Sequence, residues 1–471
     1  MQGNKHRKIE VCSQRRILMK RRSFAFGMLV LVFLSGCTTA LGQQNIQITQ
    51  TLHSETSTKE VIPSLPTERS KTLEAMQVTT TSELHDSFKI ETLCPDVDNE
   101  ESELPTLVGT LVFAGEKRLV KGKILLPESG KDSVLSFWDA QSDKTFFYNL
   151  VEEEECYIYA ESPDKERIAI TEAKSIEMPY DLTILNNRAE EYERISFPDE
   201  WTFFNWLNNE QVLFRQYRTT KDITKEEYDL VAINIANQEQ QFLSSELPNI
   251  YLEIIYWSWG APMSFNPDGT IVMYHEHDYD IYQDYSIFWD LEKNKLIVRT
   301  TADDWARWSP DGRLMLLVVD VNEDVVEVNR EIFLFNELTG EITQISFFKE
   351  HYEELFIYSP VWSPDNRFIA FWMKADRLAD TANLAVLDTE TLTVKIFHYE
   401  IAPWPYRFGV IERLLFQEIQ VNSTSPIWSP DSQYLLIEDY EKGKSDTLLV
   451  DLQNHEIIKI ADQARPVAWL K

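Results

Sequence analysis

From position 107 onward, apolar residues fall in short runs separated by clusters of Gly, Pro, Asn, Asp and Ser. Runs at 107–114, 134–139, 145–150, 168–171, 212–215, 271–274, 332–336, 369–373, 384–388 and 447–451 are rich in β-branched and aromatic residues. That composition suits a pleated, half-buried surface. The pattern predicts an all-β region spanning 107–471.

One phrase punctuates the runs. Trp308-Ser309-Pro310-Asp311-Gly312 precedes an apolar stretch at 314–319, and Trp362-Ser363-Pro364-Asp365-Asn366 and Trp428-Ser429-Pro430-Asp431-Ser432 repeat it. Phe265-Asn266-Pro267-Asp268-Gly269 and Ser162-Pro163-Asp164-Lys165 are weaker copies, and Trp206-Leu207-Asn208-Asn209 is a degenerate one. Ser opens a type I turn, Pro pre-sets φ at the second position, and Gly312 suits a left-handed fourth position. Asn366 tolerates that conformation, whereas Ser432 and Lys165 fit it less well. Trp, just before the turn, offers a large apolar surface to a neighbouring sheet. A hairpin follows each turn, then a strand ending in Asp290, Asn336, Asp388 or Asp451, then a fourth strand at 295–299, 341–345, 393–397 or 456–460. Each unit is thus a four-stranded antiparallel sheet.

These units resemble the TolB-type β-propeller repeat, whose hallmark is the Trp-Ser-Pro-Asp-Gly turn. The resemblance covers 107–471 and implies a propeller. For that family it further implies a protein-binding platform in the cell envelope. The C-terminal stretch 465–470 matches a first strand, while 107–150 supplies later strands without one. The simplest account joins them into one blade, which closes the ring and gives seven blades. Six and eight stay open, because 107–130 is weakly patterned.

Upstream, the pattern changes. Residues 1–36 carry eight Lys or Arg and one acid, followed by an apolar stretch at 24–34 and Leu34-Ser35-Gly36-Cys37. A basic start, a short apolar core and small residues read as a secretory signal. Met19 is an alternative start. Leu-Ser-Gly-Cys resembles the bacterial lipoprotein box, which implies a lipid anchor on Cys37 and export to the outer face of a bacterial membrane, at the cell surface or in the periplasm. Residues 37–106 are rich in Ser and Thr and read as a flexible tether, with a small helical unit around 73–90 as the alternative. Cys94 and Cys156 remain as a candidate disulfide, which export permits. The formal charge of −32 argues against nucleic acid as a partner.

Antiparallel connectivity sorts the loops. Turns between strands 1 and 2, and between 3 and 4, are short and share the motif face. Connections between strands 2 and 3, and from strand 4 to the next blade, are long and share the opposite face, so that face is the expected binding surface. The longest, 399–424, carries Trp404, Tyr406, Arg407 and Phe408, residue types that dominate interfaces and also suit a sugar platform. His275, His277 and Asp278 are weak candidate ligands for a divalent cation, and no other cofactor is expected. The acidic loop Asp320, Glu323, Asp324, Glu327 and Glu331 is read as solvated. No nucleophile elbow, zinc-helix motif or phosphate-cradling glycine loop occurs. The expected role is a binding scaffold for a protein partner and not an enzyme, with a carbohydrate- or peptide-binding or -processing propeller as the alternative.

Overall fold

The second and third strands of each unit read as unbroken apolar runs because neither of their faces meets water. In Phe368–Lys374, Ile369, Phe371 and Met373 pack toward one neighbouring sheet, and Ala370 and Trp372 toward the other. Side chains still alternate, but both alternating sets are apolar. The computed structural model describes residues 82–98, 104–114, 119–120, 123–124, 134–149, 158–172, 180–198, 201–218, 227–243, 264–278, 283–293, 295–300, 306–321, 328–375, 381–401, 425–441 and 444–471.

Those residues form a seven-bladed β-propeller of four-stranded antiparallel sheets. Blades 2 to 7 begin with Ile158–Glu161, Trp201–Trp206, Ser264–Phe265, Ala306–Trp308, Phe356–Trp362 and Ile427–Trp428. Three strands follow each; in blade 5 they are Leu314–Asp320, Arg330–Asn336 and Ile342–Gln344. Blade 1 is assembled from both ends of this region. Arg465–Leu470 pairs antiparallel with Thr110–Ala114, and Val134–Asp139 and Lys144–Asn149 complete the sheet. The expected closure by the C-terminal strand is therefore met. First strands of adjacent blades touch one another at five of the seams, which puts first strands at the axis and fourth strands at the rim. Leu119–Val120 and Lys123–Ile124 make a separate two-stranded hairpin.

The core has no single centre. Seven apolar clusters occupy the seams, one between each pair of neighbouring blades. Stability is distributed around the ring, and each blade contributes one face to two clusters.

The tether expectation needs correction near its C-terminal end. Ser82–Ser87 forms a helix, α1, and Lys89–Leu93 (β1) lies parallel to residues 393–397 on the rim of blade 6. Asp96–Asp98 (β2) then lies parallel to residues 456–458 on the rim of blade 7. Leu84, Phe88 and Ile90 pack against the seam between blades 5 and 6, and Leu93 against the next seam. Phe88 meets Phe347 and Phe348 edge-on, with ring centroids 5.7 and 5.4 Å away. A few apolar residues suffice here because the blade edge supplies the backbone partners. Cys94, just after β1, is exposed; Cys156, its candidate disulfide partner, lies outside the described residues.

Candidate functional site

On the motif face, side-chain hydrogen bonds fix each turn. In blade 5, Gly312 N–H donates to Ser309 O at 2.8 Å, and the Ser309 hydroxyl donates to Asp311 Oδ1 at 2.7 Å while accepting from Leu314 N–H at 3.0 Å. Blades 2, 6 and 7 repeat this with Ser162, Ser363 and Ser429. Neighbouring turns are also joined. Asp164 N–H donates to Asn209 Oδ1, Asp311 N–H to Asn366 Oδ1, and Asp365 N–H to Ser432 Oγ. The motif Trp adds a second link: Trp206, Trp362 and Trp428 donate Nε1–H to the carbonyls of Ala160, Arg307 and Val361 in the preceding blade, at 2.9, 3.0 and 3.3 Å. The Asp carboxylates are thus engaged in turn geometry. One cleft of about 310 Å³ opens on this face, among Gly109, Asp139, Phe146, Arg188, Pro430 and Lys471.

The opposite face is built differently. Its connections include 321–329, 375–381 and 402–426, against 309–313 and 337–341 on the motif face. Trp404, Tyr406, Arg407 and Phe408 lie outside the described residues. The strand Ile271–Asp278 ends on this face in register with Gln283–Asp290, pairing His275 with Ser286, His277 with Asp284 and Asp278 with Gln283; the side chains of these candidate ligands are outside the described set. Among the described residues, no group of three or more His, Cys, Asp and Glu is gathered as a metal site would be.

The acidic loop after blade 5's second strand is not solvated throughout. Glu331 is fully buried: its carboxylate accepts from the Ser346 hydroxyl and, at 2.7 Å, from Lys349 N–H. Burial pushes its carboxyl above the usual range, and the Ser346 and Lys349 hydrogen bonds pull it back. The segment 345–355 folds over it, held also by Asn329, which donates Nδ2–H to Tyr352 O and Glu353 O. Beside it, the Arg330 guanidinium donates to Ile357 O at 3.2 Å and lies 5.8 and 5.5 Å from the rings of Phe356 and Tyr358. Glu438 is a second buried acid, between blades 7 and 1. Burial raises its carboxyl, Arg465 and Ser445 oppose that rise, and its Oε2 has no hydrogen-bond partner.

At the axis, the first strands carry three charged side chains among the described residues: Glu161, Arg307 and Arg465. Glu161 accepts from Trp469 N–H and pairs with Lys165 Nζ at 3.1 Å. Desolvation alone lowers the Arg307 guanidinium to about 10. The sequence reading missed Arg330, Glu438 and Arg465. Their available signal was a charge set directly beside a core run, as in Leu435-Leu436-Ile437-Glu438.

No protein-family model matches the chain, and no curated protein does. Solved structures do. TolB from Acinetobacter baumannii is 14% identical, with a TM-score of 0.38, over 71% of this chain and 79% of that one. An oligogalacturonate lyase from Vibrio parahaemolyticus is 12% identical, with a TM-score of 0.43, over 69% and 84%. A prolyl endopeptidase is 8% identical, with a TM-score of 0.47, over 75% of this chain and 50% of its own. These are likenesses of fold alone, and they include enzymes as well as TolB. Among the described residues, no helix is long and apolar enough to cross a membrane.

Proposed function

We propose that the protein is an exported propeller, anchored by lipid at Cys37, that binds a protein partner through the face opposite the motif. The carrying observation is the contrast between the faces. The motif turns are short and bonded to one another through Asp164, Asp311 and Asp365, while the long connections, including 402–426 with Trp404, Tyr406, Arg407 and Phe408, all leave from the other face. Loops on a rigid scaffold are where recognition resides, and Trp, Tyr and Arg are the usual anchors. Export and anchoring rest on the leader and the Leu34-Ser35-Gly36-Cys37 box.

Photo-crosslinking in cells tests the reading. A crosslinking residue at position 404 or 408 is expected to give one discrete protein adduct, and one at Asp311 none. Arg407→Ala is expected to lower the adduct yield at position 404 several-fold. Adducts only from position 311, or none from a protein together with retention on a glycan array, would overturn the assignment. Anchoring is read separately, by whether Cys37→Ala releases the protein from the membrane fraction.

A further inference from the structure

Among the described residues, the rim carries a fifth strand on two blades and none on the other five. In blades 6 and 7, β1 and β2 add a parallel fifth strand to the sheet. Among the described residues, the sheets of blades 1 to 5 stop at the fourth strand. A bare edge is a row of unpaired N–H and C=O groups, a template for another strand. The exposed large apolar side chains follow the same division. Tyr192, Phe242 and Leu296 lie on the outer strands of blades 2, 3 and 4, and Leu338 lies in the turn leading to blade 5's outer strand. Among the described residues, none lies on blade 6 or 7.

We propose that the outer strand of blade 2, Glu191–Phe197, is a docking edge for an extended basic segment of another protein, which adds there as a parallel fifth strand. The way β1 sits on blade 6 supplies the mode and the direction. Strand addition draws affinity from the backbone and selectivity from alternate side chains. Blade 2 is favoured by length: its outer strand has 7 residues, against 6, 3, 6 and 3 in blades 1, 3, 4 and 5. It also offers a platform, since Tyr192 is 53% exposed and braced by the Arg167 guanidinium 5.0 Å from its ring. Charge names the occupant. Glu190 and Glu191 are exposed at the start of this edge and Glu193 is partly so. Glu191 is ion-paired with Arg194 at 2.8 Å, so Glu190 and Glu193 supply the charge that meets an incoming strand, and a net charge of −32 draws cations toward the molecule. Lys or Arg at alternate positions of an incoming strand would lie beside these carboxylates. The same acids disfavour a second copy of this chain, whose edge would set like charges opposite one another.

The test is amide hydrogen exchange on the full chain with a capped peptide of about nine residues alternating lysine and valine. Saturable slowing of exchange by about tenfold or more is expected in 191–197, with 393–397 unchanged. A peptide with glutamate in place of lysine should give none. Tyr192→Ala and Glu193→Lys, both at the surface, should each weaken binding of the lysine peptide about tenfold. Protection confined to other acidic surfaces overturns the proposal. So does protection of 393–397 with release of 82–98, or no protection at all, in which case the acids serve only to keep the edge from pairing. None of these outcomes bears on the loop-face reading, which is scored by adducts at positions 404 and 408.

Discussion

At the scale of single residues, the repeat works through one backbone conformation and one hydroxyl. Lys165, Gly269, Gly312, Asn366 and Ser432 all sit in the left-handed region, at φ 60, 73, 73, 63 and 61°. Local sequence made Gly312 and Asn366 legible, because they tolerate that region, and made Lys165 and Ser432 look like poor fits. Their compensation comes from far away: the Lys165 ammonium donates to Trp428 O at 2.7 Å, and the Ser432 hydroxyl accepts from Asp365 N–H. A partner in another blade leaves no trace in a local pattern. The two glycines make a controlled comparison. A Cβ on Gly269 would lie 3.6 Å from Leu207 Cδ2, whereas one on Gly312 would lie 2.7 Å from Pro267 Cδ. Gly269→Ala is expected to cost about 1–2 kcal/mol, for the left-handed conformation alone. Gly312→Ala should cost roughly 1–3 kcal/mol more, from the contact between blades. Urea midpoints measure both, and equal losses would mean that Pro267 yields freely.

At the scale of elements, the blade strands were legible and the rim strap was not. Val134–Asp139 has its expected bounds, since a strand buried on both faces announces itself by composition. Segment 88–93 carries only Phe88, Ile90 and Leu93 among polar residues, too little to stand out, yet enough once a blade edge pairs the backbone. Its foothold is α1, where His85 Nε2 lies 2.5 Å from Glu350 Oε1 and its ring lies 4.9 Å from that of Phe347. The Glu350 hydrogen bond, its charge and the nearby Asp86 raise the His85 imidazole above its ordinary 6.5, against a smaller opposing effect of desolvation. A docked strap therefore holds a proton more tightly than a released one. The increment in docking is complete below the released value and is lost as pH rises through the docked one. Protection of amides 89–93, corrected for intrinsic exchange, should fall as pH rises past the imidazole's ordinary 6.5. Glu350→Gln should flatten that dependence, and an unchanged slope would remove His85 from the account.

At the scale of the whole molecule, the ring is closed at blade 1 and sealed on both sides. Leu111, Phe113, Trp138 and Trp469 fill the seam with blade 7, and Val112, Leu135, Phe137 and Leu470 the seam with blade 2. Lys165 O also accepts from Lys471 N–H at 2.7 Å, and Asn187 Nδ2–H donates to Lys471 O at 2.7 Å. Deleting 465–471 should expose both clusters and give an insoluble or protease-sensitive product. Lys165→Met, which keeps the stem but drops the links to Trp428 O and Glu161, should lower stability by about 1–3 kcal/mol with the fold intact. A soluble truncation with unchanged resistance to trypsin would refute closure by the last strand. Ring closure was legible because 465–470 repeats a first strand without its hairpin partner. The candidate face was legible only as connectivity, since its loop residues 402–424 follow no repeat that fixes their placement.

The strap has a mechanical consequence. β1 and β2 lie in series upstream of the first blade strand, and tension applied along them from the chain before Ser82 would load each along its own length. Bonds loaded in that direction share the force and do not open one after another as in a hairpin pulled apart. Tension must therefore shear residues 89–93 from 393–397, then 96–98 from 456–458, before it reaches Thr110 and the closure. The rim acts as a two-stage fuse, and a tug on the N-terminal side spends itself on the strap while the ring stays shut.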